Sequence, residues 1–341
     1  MKLRKLFLLL PLFSLVCLTD SASQARTRQR KTSPPRPAQK KPANPRPHEA
    51  TTANNTVEVV LRYEFSVPKE TQRIEFFVVV PKTIPHKQTI LDVRYSPRPS
   101  RIFQNNGNRY AQFVFTEPKS QLKVQINIEA ELLRYDLSTA RKSHEKSLAK
   151  GPDFEDFLKQ EKYIEKDNTL IQQIAEGITG QNEIDTVRKI YNYVADNMEY
   201  AVQGEKDRGA IEAVQQKKGD CSEYSDLFVA ICRAKNIPAR FVTGYTVRFD
   251  DISPKHHWAE VYLQEYGWVP FDPSWGDVED AAIRNKMFGT MKPVYIYLSR
   301  IRSDDVLHNS HFYTYLYFGD KVTLTDSIEF KQPDNLPQET R

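Results

Sequence analysis

The chain has 341 residues, of which 39% are hydrophobic and 27% charged, with only three cysteines. That is enough for one large domain or two ordinary domains with their own cores, and the composition excludes a collagen-like repeat or a wholly disordered chain. The net charge of +5 is concentrated at the N-terminus. Residues 26–56 carry a net +7 and residues 1–25 a net +2, so the remainder stands at −4 and offers no basic surface for nucleic acid.

The first residues read as an export signal. Lys2, Arg4 and Lys5 precede a short apolar run from Leu6 to Leu18, and small residues follow at Ser21, Ala22, Ser23 and Ala25. The run is short for a membrane span, which favours cleavage near Ala25 over an uncleaved anchor and predicts a periplasmic or extracellular protein. Residues 26–56 are rich in Pro, Lys, Arg, Thr and Asn and poor in large apolar groups, the composition of a disordered linker.

From residue 57 to 137 the hydrophobic period is two. Val57 to Phe65, Ile74 to Val80 and Leu122 to Leu133 alternate as strands, and Asn105-Asn106-Gly107-Asn108 is a turn between two more. This spacing predicts a small all-β sandwich. It holds no cluster of His, Cys or carboxylates, so binding a protein partner or acting as a spacer is its expected role.

From Ser138 to Asn197 the period becomes helical. One helix is expected around Phe154, Phe157, Leu158 and Ile164, and one from Leu170 to Ile178. A third spans Ile184 to Val194, with Asn182 as its cap. A further helix runs from Cys221 to about Lys235. Strands are predicted at 239–247, 257–263, 267–271, 294–299, 312–318 and 321–330, the later ones expected to complete the same sheet as the earlier. The fold class is α+β, with the sandwich at 57–137 and a second domain at 138–341.

Once the leader is removed, Cys221 and Cys232 remain. Eleven positions on one helix separate them by about 16 Å along its axis, too far for a disulfide. Cys232 falls in the apolar phase and reads as core. Cys221 opens the helix after Gly219, which permits a tight turn, and Asp220, a suitable N-cap. Free N–H groups and the positive end of the helix dipole favour a thiolate and an oxyanion there.

A thiol nucleophile needs a base, and the base needs an orienting group. His256-His257-Trp258-Ala259-Glu260-Val261-Tyr262 reads as a strand, and Gly267-Trp268-Val269-Pro270-Phe271-Asp272-Pro273 as its antiparallel neighbour. His257 shares a face with Ala259, Val261 and Leu263, the core side. His256 shares the other, so parity leans towards His256 as the base and leaves His257 open. Adjacent residues on a strand point oppositely and cannot chelate one ion from one face, so neither a metal nor a cofactor is expected. Trp258, Trp268 and Trp275 suit core or cleft walls, Arg240 a structural role, and Glu223 and Glu260 either pairing or tuning of the site.

The stretch from Gly219 to Trp275 resembles the core of transglutaminase-like proteins. It carries Ile237-Pro238-Ala239-Arg240, Gly244-Tyr245, the His-x-Trp-x-Glu-Val-Tyr pattern from His256 and the Gly-Trp-Val-Pro-Phe-Asp-Pro pattern from Gly267, in the family's order. The resemblance implies a papain-like core in which Cys221 is the nucleophile, His256 (two residues before Trp258) the base and Asp272 its orienting partner. It also implies a residue upstream of the cysteine that completes an oxyanion hole, for which Tyr200 is a candidate. The implied activity is acyl transfer on peptide or glutamine amides through a thioester, hydrolytic in preference to amine-accepting cross-linking. A polypeptide or cell-wall peptide is the expected substrate. The rival of another class is an inactive scaffold module of the cell envelope.

Overall fold

The computed structural model describes residues 54–142, 152–202, 206–247 and 253–331. The expected leader, and the linker as far as residue 53, lie outside these residues. The first strands are β1 (Asn55–Ser66), β2 (Arg73–Val80), β3 (Gln88–Ser96), β4 (Arg101–Asn105), β5 (Asn108–Thr116) and β6 (Gln121–Leu132). In β1 the side chains of Val57, Val59, Leu61, Tyr63 and Phe65 are buried, and in β2 those of Ile74, Phe76, Val78 and Val80, so the period of two places one face of each strand in a common core. Phe76 sits among Tyr63, Phe65 and Phe113, with ring centroids 4.8 to 5.9 Å away. The β4–β5 hairpin turns through Asn106 and Gly107, both at positive φ, as the sequence suggested. The strand β3 was not legible, because most of its residues are at least partly exposed and no apolar alternation marks it.

Next come β7 (Tyr135–Asp136), α1 (Pro152–Asp156), α2 (Thr169–Gly177), α3 (Glu183–Asn197), β8 (Glu199–Tyr200), α4 (Ala210–Gln216), β9 (Lys218–Gly219) and α5 (Cys221–Ala234). Asn182 caps α3 by accepting from the Asp185 N–H at 2.9 Å. The helix expected through Ile164 is a correction: α1 ends at Asp156 and Tyr163 stands at φ +77, a left-handed geometry that no helix continues. In α5, twelve of fourteen residues are buried, the mark of a central helix covered on all sides.

The chain finishes with β10 (Ala239–Thr246), β11 (Lys255–Leu263), β12 (Gly267–Phe271), α6 (Ala281–Met287), β13 (Thr290–Met291), β14 (Tyr295–Ser299), β15 (Tyr313–Phe318) and β16 (Thr323–Lys331). An antiparallel sheet in the order β12-β11-β10-β14 packs against α5. The last two strands do not extend it. Instead β15 pairs with β2 and β16 with β1, giving two four-stranded sheets, β16-β1-β6-β3 and β15-β2-β5-β4. The expected division at 57–137 and 138–341 is corrected accordingly, since residues 313–331 complete the sandwich. Local alternation identifies a strand but not its distant partner, which is why the sequence misassigned these two.

The two parts also share packing. One hydrophobic cluster joins the sandwich interior to Val242, Tyr245, Trp258 and Tyr295. Gln88 bonds both backbone groups of Tyr297, accepting from its N–H at 2.8 Å and donating to its carbonyl at 2.9 Å. Lys87 reaches the buried carboxylate of Glu260, which also pairs with Arg240 at 2.6 Å.

Candidate active site

The turn before α5 is set by close packing. β9 runs parallel to β8, and the Ala201 N–H donates to the Gly219 carbonyl at 2.8 Å. A Cβ on Gly219 would stand 2.4 Å from Cβ of Glu223, so only glycine fits. The Asp220 carboxylate accepts from the Ser222 N–H at 2.9 Å, and Glu223 accepts from the Asp220 N–H at 3.0 Å, a reciprocal capping box. Cys221 therefore occupies the first helical position, at 8% exposure. The same turn brings Tyr200 beside Gly219, with its ring 6.1 Å from that of Tyr224.

His256 lies on β11 opposite Gly244 of β10, and Asp272 directly follows β12. His256 Nε2 and Asp272 Oδ2 are 2.6 Å apart. An ionised carboxylate only accepts, so Nε2 carries the shared proton. The Asp272 carboxylate takes three further donors: Tyr295 donates to Oδ2 at 2.9 Å, and Ser274 Oγ and the Trp275 N–H donate to Oδ1 at 2.8 and 3.1 Å. Trp275 also stacks on the His256 ring, centroids 4.9 Å apart and planes 21° apart. The orientation of the imidazole is thus fixed from its edge and from its face. Tyr295 was missed in the sequence, where nothing in its spacing links that strand to Asp272.

The Cys221 sulfur lies against β11, where it accepts from the backbone N–H of His257 and feels the charge of Asp272. Burial pushes the thiol well above its ordinary value and the Asp220 carboxylate adds to the effect, against the pull of the His257 N–H. The sulfur is consequently protonated at neutral pH, and ionising it requires a base.

His257 points to the other face. Its Nδ1 is 3.2 Å from Thr243 Oγ1, and its ring packs on Phe241 and His311 with centroids 4.9 and 4.5 Å away. Burial, with His311 and Arg302 adding, holds it well below its ordinary value and keeps it neutral. Of the two histidines only His256 meets a carboxylate. Both Cys221 and Cys232 are free thiols, and Cys232 is wholly buried in the helical core. Trp258 is core, Arg240 and Glu260 pair with each other, and Glu223 serves the cap. Among the described residues no group of three or more His, Cys, Asp or Glu could hold a metal ion, and no helix is long and apolar enough to cross a membrane.

Comparison with known proteins bears on the family and the fold. Residues 172–273 match the model of the transglutaminase-like superfamily. A Haemophilus influenzae protein of unassigned function is 23% identical over 330 residues, covering 80% of this chain and 89% of its own length. The kyphoscoliosis peptidase of Mus musculus is 28% identical over 121 residues, which are 32% of this chain and 18% of the peptidase. Among solved structures, a candidate cysteine protease from Cytophaga hutchinsonii has a TM-score of 0.59 at 19% identity, covering 83% of this chain and 92% of that one. The fold of that structure accordingly spans both the sandwich and the helix–sheet part.

Proposed function

We infer that this chain, whose residues 172–273 form a transglutaminase-like domain, is an exported thiol-dependent acyl-transfer enzyme acting on amides of a polypeptide or cell-wall peptide. The observation that carries the reading is the 2.6 Å contact between His256 on β11 and Asp272 just after β12, beside the helix whose first residue is Cys221. Export rests on the basic and apolar pattern of residues 1–25.

With Nε2 committed to Asp272, Nδ1 is the ring nitrogen left to serve the sulfur. It takes the thiol proton as sulfur attacks the amide carbonyl, forming the C–S bond and placing the π electrons on oxygen. The Ser222 N–H is engaged by Asp220, so the N–H of Cys221 itself is the first-turn donor left to face that oxyanion, with Tyr200 placed to assist. The imidazolium, steadied by Asp272, returns the proton to the departing nitrogen as the C–N bond breaks. The product is a thioester on Cys221 and a free amine or ammonia.

Water or an amine then resolves the thioester. His256 removes its proton and the thiolate leaves, giving a carboxylate or a new amide respectively. We favour hydrolysis, because burial of Cys221, His256 and Asp272 to 8% exposure or less leaves little room for a large acceptor beside a bound acyl chain. An inactive scaffold would have no need to bury and orient these three side chains together.

The purified protein should be incubated with glutamine-containing peptides, with and without a primary amine, while ammonia, peptide fragments and amine incorporation are followed. Cleavage or ammonia release that is lost in Cys221→Ala supports the hydrolase. Amine incorporation in its place assigns cross-linking. Absence of every product, together with no acyl adduct on Cys221 by mass spectrometry, assigns the scaffold.

A further inference from the structure

On the far face of β11 the molecule buries a second set of charged groups that the proposed chemistry does not use. Asp226 lies in α5 five residues beyond Cys221 and is wholly buried. Arg302, from the segment after β14, is equally inaccessible and grips it twice, donating from Nε to Oδ1 at 2.7 Å and from Nη2 to Oδ2 at 2.9 Å. The Nη1 of the same guanidinium donates to Asp207 Oδ2 at 3.3 Å, and His311 Nε2 stands 3.0 Å from Asp207 Oδ1. The His311 ring packs on that of His257, whose backbone N–H is the group donated to the Cys221 sulfur. Rings of Tyr163 and Phe241 lie 4.3 and 4.7 Å from the guanidinium carbon.

The chain of contacts runs unbroken from the helix that carries the nucleophile to the strand that carries the base. Such a network is a poor way to gain stability, because desolvation offsets the attraction and apolar packing often holds a fold better. What a bidentate guanidinium–carboxylate pair does supply is a fixed distance and angle. Here it fixes α5 against the 300–312 segment, and His311 carries that constraint to β11 one residue from His256.

We propose that Asp207, Asp226, Arg302 and His311 form a strut that positions the Cys221 sulfur relative to the His256 ring, a role that rests on the Cys–His–Asp reading above. Each acts through other groups and touches no reacting atom. Transfer of a proton between sulfur and nitrogen is steep in distance, and a displacement of about 1 Å is enough to lower a rate about a hundredfold.

Two variants test the strut in the full chain carrying Cys232→Ala. Arg302→Lys keeps the charge but not the fork. His311→Gln alters the more accessible end, where the side chain is 16% exposed and folding is less at risk. Alkylation of Cys221 by iodoacetamide is measured against pH, with circular-dichroism melting as the check on folding. Arg302→Lys is expected to slow alkylation at neutral pH about a hundredfold, to the level of His256→Ala, and adding His256→Ala to it should change nothing further. His311→Gln should give a smaller loss in the same direction. Folded variants that keep the wild-type rate and its dependence on His256 would overturn the strut, since a merely structural role lowers the melting temperature alone. If Arg302→Lys does not fold, His311→Gln decides by the same criterion. If the parent and its His256→Ala variant are alkylated equally fast, the Cys–His reading has failed and the strut falls with it.

Discussion

His256 and His257 are consecutive residues on one strand, both buried, yet the two faces of β11 give them opposite fates. On one face an imidazole meets a carboxylate that three other donors hold in place, with a tryptophan stacked above the ring. On the other it meets a hydroxyl, a second imidazole and, nearby, a guanidinium. The first setting gives an imidazole N–H an acceptor, and the second keeps its imidazole neutral. Residue type and burial therefore do not assign the base; the partner does. The same holds for the two cysteines of α5. Burial pushes both thiols up, but at Cys221 the His257 N–H pulls the other way, while Cys232 lies in the helical core.

The sharpest way to break this contrast is to exchange partners. His256→Ala should lower the rate of acyl transfer by about 10²–10⁴-fold, the span usual for a general base, as read from steady-state kinetics on whatever amide the protein cleaves. Asp272→Asn should approach the same loss. Whichever way the amide sits, its NH2 group meets donors that now point at the carboxylate, the Trp275 N–H on one side or His256 Nε2 and Tyr295 on the other, so the ring loses its tautomer and orientation, an exchange that costs up to about 10⁴-fold in a triad. His257→Gln should fall below that in rate and show its effect mainly in thermal melting, because its imidazole is a packing group.

The buried Glu260 offers a test of stability in place of rate. Burial is the largest single influence and acts to raise its carboxyl, but Arg240, Lys87 and Arg300 together outweigh it and hold the carboxyl down to about 2, against an ordinary 4.5. Its stabilising contribution is therefore fully present above about pH 4.5 and is lost as pH falls through about 2. Glu260→Gln should lower stability at neutral pH by about 3–5 kcal/mol, and acid titrations should show a shallower loss between those two values. Cys232→Ala, far from the site, should change the melting temperature slightly and the rate not at all.

Much of the site was legible because its chemistry is local. Gly219, Asp220 and Cys221 announce a capped helix start, and the period of two on β11 is enough to put His256 and His257 on opposite faces. The strand partners of the C-terminus were not legible, since Tyr313–Phe318 and Thr323–Lys331 alternate equally well for either sheet and only long-range packing selects the sandwich. Tyr295 as a donor to Asp272, and Arg302 behind Cys221, belong to the same class. Each lies more than twenty residues from its partner, and no spacing rule connects them. The helix expected through Ile164 failed for another reason: apolar spacing suits it, but α1 stops at Asp156 and the left-handed backbone at Tyr163 rules out a helix running on to Ile164.

The most direct test of the pairing is the pH dependence of Cys221 modification. In a Cys232→Ala background, iodoacetamide labelling should be followed by mass spectrometry from pH 5 to 10, with and without His256→Ala. A protein in which His256 draws the proton from sulfur should be labelled faster near neutrality than its alanine variant, whose rate should climb only at high pH as a buried thiol ionises unaided. Superimposable profiles for the two proteins would contradict it.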